Sequence, residues 1–212
     1  MDGYDPQHRF MNLILDEWGV WDNLSATPEP ERSYGRLWQQ ITMRSAVAAG
    51  LGLNMFNRLA DKLYMCNIAQ IVNVLHSLLL TDGPQGRKCV RTSTYYAFML
   101  FKQHRSNTAV RVERDNSDPL GLSMSASKRG SEVFVSLVNP QPATDVRADC
   151  ALTGVAPKQA TAEILHHADL NAFNSFENPD AIVPRRHPLT VEGERIRLDG
   201  PALSVITVRV QV

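Results

Sequence analysis

The stretch from Met11 to Trp21 restricts this chain more than any other part of it. An apolar run, Met11-Asn12-Leu13-Ile14-Leu15, stops abruptly at Asp16-Glu17-Trp18-Gly19. Strands covered on both faces, as in parallel sheets, read as continuous apolar runs rather than alternating ones. Polar groups at the carboxyl end of such a strand are where parallel α/β folds, barrels above all, keep their chemistry. An acidic pair by itself reads more readily as solvated loop. Here Trp18 and Trp21 crowd the acids, and an aromatic face beside a carboxylate offers a sugar both an apolar platform and a polar edge.

The chain beyond this strand supplies a partner for it. Asp22 to Ser33, with Pro28 and Pro30, has the composition of an exposed connection, and Glu29 and Glu31 read there as solvated acids. Tyr34 to Leu59 is predicted helical, with Leu37, Ile41, Ala48, Leu51 and Met55 on one face. Ala46, Ala48 and Ala49 favour helix and allow close approach to a sheet. Gly50-Leu51-Gly52 is no dinucleotide loop, since it follows helix rather than strand and position 55 is Met. Lys62 to Asn67 reads as a second short strand. Strand, helix, strand makes a βαβ unit with a right-handed crossover, so both strand ends open on one side and Gln70 falls near the mouth that holds Glu17. From the residues alone, Gln70 reads as an amide at a helix start.

Val72 to Leu80 is strongly apolar and ends at the turn Thr81-Asp82-Gly83-Pro84, followed by a loop over Gln85 to Arg91. Thr92 to His104 reads as helix, its aromatic residues serving the core and His104 lying at the end where a cation is favourable. After Ser106 the texture changes to β-branched runs, Ala109 to Glu113, Val133 to Val138 and Ser204 to Val210, separated by Asn, Pro and Gly clusters. That is the pattern of an antiparallel sandwich. Leu170 to Pro188 reads as a long loop. His166 and His167 are adjacent in a predicted strand, so they point to opposite faces, which is poor geometry for one metal.

Composition removes several function classes. Lys plus Arg equals Asp plus Glu at 22 each, so no net charge recruits nucleic acid or an anionic membrane, and Lys128-Arg129 and Arg185-Arg186 are too short for a polyanion footprint. No apolar run approaches the roughly 20 residues of a spanning helix. Three widely spaced cysteines, Cys66, Cys89 and Cys150, fit a reducing compartment better than a disulfide framework. Met1 to Arg9 is polar and does not read as a signal peptide, so a cytoplasmic location is expected.

Several blocks in order carry a family resemblance: Asp16-Glu17-Trp18, Gln39-Gln40-Ile41-Thr42, Ala46-Val47-Ala48-Ala49-Gly50-Leu51, Leu53-Asn54-Met55-Phe56, Met65 to Leu75, Thr92 to Phe98, and Asn178 to Pro184. Together they resemble glycoside hydrolase family 51, the α-L-arabinofuranosidases, over nearly the whole chain. The resemblance implies an α/β plus all-β fold. Residues 1–106 would be the last two βα units of a (β/α)8 catalytic barrel, and 107–212 an antiparallel β-sandwich of jelly-roll type. It also implies that Glu17 is the nucleophile, Trp21 lines the sugar pocket, Gln70 hydrogen-bonds bound arabinose, and Asp16 is a supporting acid. No metal or organic cofactor is called for, since a retaining glycosidase works with two carboxyl groups about 5 to 5.5 Å apart. The implied partners are arabinose-containing oligosaccharides or polysaccharides and, in the full-length enzyme, further copies of itself.

The sequence departs from the family at one point. The family's acid/base follows an asparagine upstream of the nucleophile, and this chain contains no Asn-Glu dipeptide. It holds two predicted barrel strands, whereas a whole barrel takes eight strands and about 250 residues. The chain therefore reads as the C-terminal portion of a retaining α-L-arabinofuranosidase, carrying the nucleophile without the acid/base and inactive alone. The other reading is a non-catalytic carbohydrate-binding or assembly module built on the sandwich.

Overall fold

The computed structural model describes residues 12–22, 37–82, 86–114 and 121–212. The loop carrying Glu29 and Glu31 and the leading residues Met1 to Arg9 lie outside that set. Strand β1 (Leu13–Trp18) and strand β2 (Leu63–Ile68) run parallel as neighbours, and helix α1 (Met43–Arg58) connects them, in the expected order. Their register slips near the acids: three steps along β1, Leu15 to Trp18, face two along β2, Cys66 to Ile68. Such a bulge re-aims side chains and is common beside functional sites.

Helix α1 differs from its prediction in start and in face. It begins at Met43, where the Ser45 hydroxyl accepts the Thr42 N–H at 3.2 Å, and residues 37–42 are not helical. Leu37 and Met55 are exposed, and the buried face is Met43, Ala46, Val47, Ala49, Gly50 and Asn54. The physical reason is proximity. A Cβ on Gly50 would sit 2.8 Å from Val138 Cγ2, so where the helix comes nearest the sheet the face must be built of small residues. Overpacking there would cost about 1–3 kcal/mol, against about 1 kcal/mol gained by replacing a helical glycine with alanine.

The segment expected as loop before residue 92 contains half of a short hairpin, β3 (Leu79–Thr81) with β4 (Cys89–Arg91). Helix α2 (Ser93–Phe101) follows, its first turn capped by the Thr92 hydroxyl, which accepts the Tyr95 N–H at 3.2 Å. A 3-10 turn, Lys102–His104, closes it. No described helix is long and apolar enough to cross a membrane.

The second half is antiparallel β, as predicted. Its strands are β5 (Thr108–Val110), β6 (Ser123–Arg129), β7 (Glu132–Asn139), β8 (Val146–Ala151), β9 (Gln159–His166), β10 (Arg185–His187), β11 (Thr190–Glu192), β12 (Arg195–Gly200) and β13 (Ser204–Gln211). They form a six-stranded sheet in the order β10-β9-β13-β7-β6-β5 and a three-stranded sheet in the order β11-β12-β8. Leu137, Ile164, Ile206 and Val208 pack between the sheets with Ile196 and Leu198. Val138, Leu165 and Val205, on the opposite face, pack under Met43, Ala46, Ala49, Tyr96 and Leu100 of the helices. Strands β7 and β13 are thus covered on both faces, which is why they read as continuous apolar runs. This core draws on residues from both sides of position 106.

The long segment after β9 folds back on the helices. The carbonyls of Ala172 and Leu170 accept the N–H groups of Met43 and Arg44 at 2.9 and 3.1 Å, satisfying donors at the start of α1 that have no partner within the helix. Buried Asn174 donates to the carbonyls of Arg91 (2.9 Å) and Ile182 (3.0 Å) and accepts the Ile182 N–H at 2.7 Å. His166 ends β9, and His167 lies beyond it beside the Asp169 N–H at 3.0 Å. The cysteines 66, 89 and 150 are free.

His104 is not the helix-end cation that its position suggests. It is buried between the hydroxyls of Ser127 (2.8 Å from Nδ1) and Ser136 (2.7 Å from Nε2), and burial pushes its pKa down to about 4. The unfolded chain, with an ordinary histidine, takes up the proton first. Stability from this group is therefore complete above pH 6.5 and is lost as pH falls toward 4, by about 3 kcal/mol in all. Urea midpoints should accordingly drop between pH 7 and pH 5, a range above the carboxylate titrations. A midpoint constant over that range would show that the fold does not lower the pKa of His104.

Candidate active site

Two expected site residues lie near the same end of the parallel pair, and Trp21 follows β1 by three residues. Glu17 lies on the bulge near the end of β1, and Gln70 follows β2 by two residues. The Trp18 carbonyl accepts the Ala69 N–H at 2.9 Å, so the strands stay joined up to the residue before Gln70. Glu17 and Gln70 are exposed, and Trp21 is 66% exposed. Gln70 does not start a helix. Its N–H donates to the Leu75 carbonyl at 3.1 Å within a compact turn, which Asn73 ties to β3 through the Thr81 hydroxyl and N–H, both at 2.8 Å.

Trp18 does not line this mouth. Its ring stacks on Phe98 with centroids 5.9 Å apart and meets Phe56 edge-on at 4.9 Å. The indole turns into the helical layer while the neighbouring Glu17 carboxylate faces solvent. Trp18 thus anchors the strand, and of the two tryptophans only Trp21 is exposed. Asp16 is exposed as well.

What holds the segment from Gly19 to Asp22 was not read from the sequence. His76, fully buried, accepts the Val20 N–H on Nδ1 at 3.1 Å, so its Nε2–H donates to the Ser45 carbonyl at 2.8 Å. Gln39, also buried, donates to the Val20 carbonyl at 2.8 Å and accepts the Asp22 N–H at 2.9 Å. Asp22 is buried against Arg44, 3.3 Å from its Nε. Gly19 is closely packed, since a Cβ there would lie 3.3 Å from the Ala69 carbonyl oxygen and from His76 Cβ, and these would have to give by a few tenths of an ångström. A single histidine within the apolar run Val72 to Leu80, and paired glutamines just before a helix, were the available signals. Polar residues that isolated are buried only when hydrogen-bonded.

Burial keeps the His76 pKa below its ordinary value, although the Ser45 carbonyl and the Asp22 charge pull the other way. A neutral ring is what the geometry needs, because a protonated Nδ1 cannot accept the Val20 N–H. Among the described residues, no group of three or more His, Cys, Asp or Glu side chains is gathered to hold a metal ion.

Residues 16–204 match the family described as alpha-L-arabinofuranosidase C-terminal domain. The chain belongs to that family. It is 34% identical over its whole length to an intracellular exo-alpha-L-arabinofuranosidase of Bacteroides ovatus, of which it spans 41%. All of it also superposes on 43% of the family 51 arabinofuranosidase from Xanthomonas axonopodis pv. citri, with a TM-score of 0.85 and 30% identity. The Thermotoga maritima arabinofuranosidase, solved as an arabinose complex, shares the fold at a TM-score of 0.73 and 21% identity, over 95% of this chain and 43% of that one. The chain thus spans about two fifths of the length of these arabinofuranosidase relatives.

Replacing His76 by Phe removes an acceptor for Val20 and a donor for Ser45 while keeping an aromatic ring. Leaving such buried groups unpaired costs about 1–3 kcal/mol each. Hydrogen exchange at the Val20 amide should accelerate in this variant, with the amides of β13 still slow. Unchanged exchange at Val20 would show that His76 does not hold the segment.

Proposed function

We propose that Glu17 is the nucleophile of a retaining α-L-arabinofuranosidase, which releases terminal arabinofuranosyl residues from arabinose-containing oligosaccharides and polysaccharides. The observation that carries this reading is the parallel pairing of β1 with β2, which sets an exposed carboxylate and an exposed amide near the same strand ends, with the exposed Trp21 three residues past β1. In this reading β1 and β2 are neighbouring strands of a (β/α)8 barrel whose other strands lie outside these residues. Support comes from the apolar side chains that the pair leaves uncovered, Ile14 at 53% and Tyr64 at 78% exposure among them, which a complete sheet would bury. Residues 1–106 then form the barrel part and 107–212 a jelly-roll-type sandwich.

The chemistry assigned to these residues is nucleophilic. The Glu17 carboxylate attacks the anomeric carbon, and the glycosidic oxygen leaves with a proton from a second carboxyl group. Water then cleaves the glycosyl ester with net retention. Gln70 hydrogen-bonds the sugar, and Trp21 walls the pocket. The second carboxyl group comes from the barrel strands outside these residues, in keeping with the absence of an Asn-Glu pair. The whole protein acts in the cytoplasm, by likeness to the intracellular Bacteroides ovatus relative, and assembles from several copies of itself.

In the full-length protein, Glu17→Ala should abolish hydrolysis of an aryl α-L-arabinofuranoside with the fold intact, and wild type should release arabinose with retention. The 212 residues alone should not turn over, because orienting the ring, worth roughly 7–11 kcal/mol, needs the other walls. Full activity of Glu17→Ala would remove the nucleophile assignment, and robust hydrolysis by the 212 residues would remove the need for further strands.

A further inference from the structure

The helices cover only part of the six-stranded sheet. Beyond the 3-10 turn Lys102–His104 the cover ends, and a groove of about 740 Å³ opens between that turn and strands β6, β7, β9, β10 and β13. Strand alternation sets its floor. On β13, Val205 lies under the helices, Thr207 meets the Gln103 amide at 3.2 Å, and Arg209 emerges beyond them. Register then places Arg209 between Phe134 of β7 and Thr161 of β9, and Arg186 of β10 beside Glu163 of β9.

The charge in this groove is lopsided in a chain of zero net charge. Lys102, Arg129, Arg186 and Arg209 line it, with Glu163 as the one acid among the lining residues. Glu132 holds two of the cations, Arg209 at 2.6 Å from Nε and Arg129 at 3.6 Å. Lys102 and Arg186 enter no ion pair with a described residue. The Arg186 guanidinium presents a fork that matches a planar carboxylate, and the Lys102 ammonium adds a point charge. Between the charges lie neutral groups, the Gln103 amide and the exposed Thr161 hydroxyl, suited to sugar hydroxyls.

We propose that this groove is a second carbohydrate site, one that binds a uronate-bearing oligosaccharide through Lys102 and Arg186. Its volume exceeds what a single small inorganic anion fills. A nucleic acid is a poorer fit. Phe134 is buried with the Arg129 guanidinium 5.7 Å from its centroid, which leaves the half-buried His187 imidazole as the one ring in the lining open to a base, too few for a run of stacked bases. The choice of a sugar as carrier of the carboxylate rests on the arabinofuranosidase reading, whereas the preference for an anion does not.

Calorimetric titration of the 212-residue chain with tetragalacturonate, neutral arabinotetraose and tetraglutamate tests this. Tetragalacturonate should bind at least about tenfold more tightly than either control. Arg186→Ala and Lys102→Ala should each weaken it about five- to tenfold. Glu17→Gln should leave it unchanged, which separates this site from the mouth at β1. No binding, equal binding of arabinotetraose, or unaltered affinity in Arg186→Ala would overturn the proposal. Tetraglutamate binding as tightly as the uronate would overturn its sugar specificity, and with it the site, without touching the assignment of Glu17.

Discussion

Helix α1 lies against the six-stranded sheet at a distance that only small side chains permit. Ala46, Ala49 and Gly50 face Val138 and Val205, and the space at Gly50 is too short for even one methyl group. Closer approach buries more apolar surface per turn of helix, at about 25 cal/mol per Å², and excludes voids that would forfeit dispersion contacts. The other side of α1 then meets Trp18, whose ring would lie 3.0 Å from a Cβ on Gly52. Through Trp18 the sheet and helix set where β1 ends, and so where the Glu17 carboxylate stands. A residue buried in the second half of the chain thereby bears on the position of one near its start.

The mouth at the end of β1 separates its labour between exposed and buried residues. Glu17, Trp21 and Gln70 face solvent, where a ligand can reach them. The segment from Val20 to Asp22, which carries Trp21, is held from behind by His76, Gln39 and the Asp22–Arg44 pair. The buried hydrogen-bonded groups are chiefly neutral, which suits a low-dielectric interior, where a charge costs far more than a satisfied amide or imidazole. The same logic governs His104, which is kept uncharged between two serine hydroxyls. Two histidines with different neighbours are thus used alike, as hinge pins between elements distant in sequence.

The two faces of the six-stranded sheet show how one element serves different ends. Its inner face packs on the three-stranded sheet, and most of its outer face packs on the helices. Where helix cover stops, the outward positions change from Val205 to Thr207 to Arg209 within a single strand. The groove is therefore a consequence of helix length. Had α2 and its 3-10 turn run on, Arg209 and Arg186 would face a helix and would need partners of their own.

The sequence by itself determined the order of elements and their kind. Apolar periodicity separates continuous runs from alternating ones, so the parallel pair, the helix between its strands and the antiparallel second half were legible, as was the placement of Glu17 and Gln70 at strand ends. Local pattern could not say which face of α1 is buried, because that depends on how near the sheet comes, and Leu37 and Met55 looked as suited to a core as Ala46 and Ala49. Nor could it reveal that Trp18 turns away from the mouth, that His76 and Gln39 clasp Val20, or that His104 is neutral. Each of these depends on contacts between residues far apart in sequence, with His76 lying 56 positions from Val20. Hydrogen bonds and burial at that range exist only once the chain has closed on itself, and there tertiary structure alone decides.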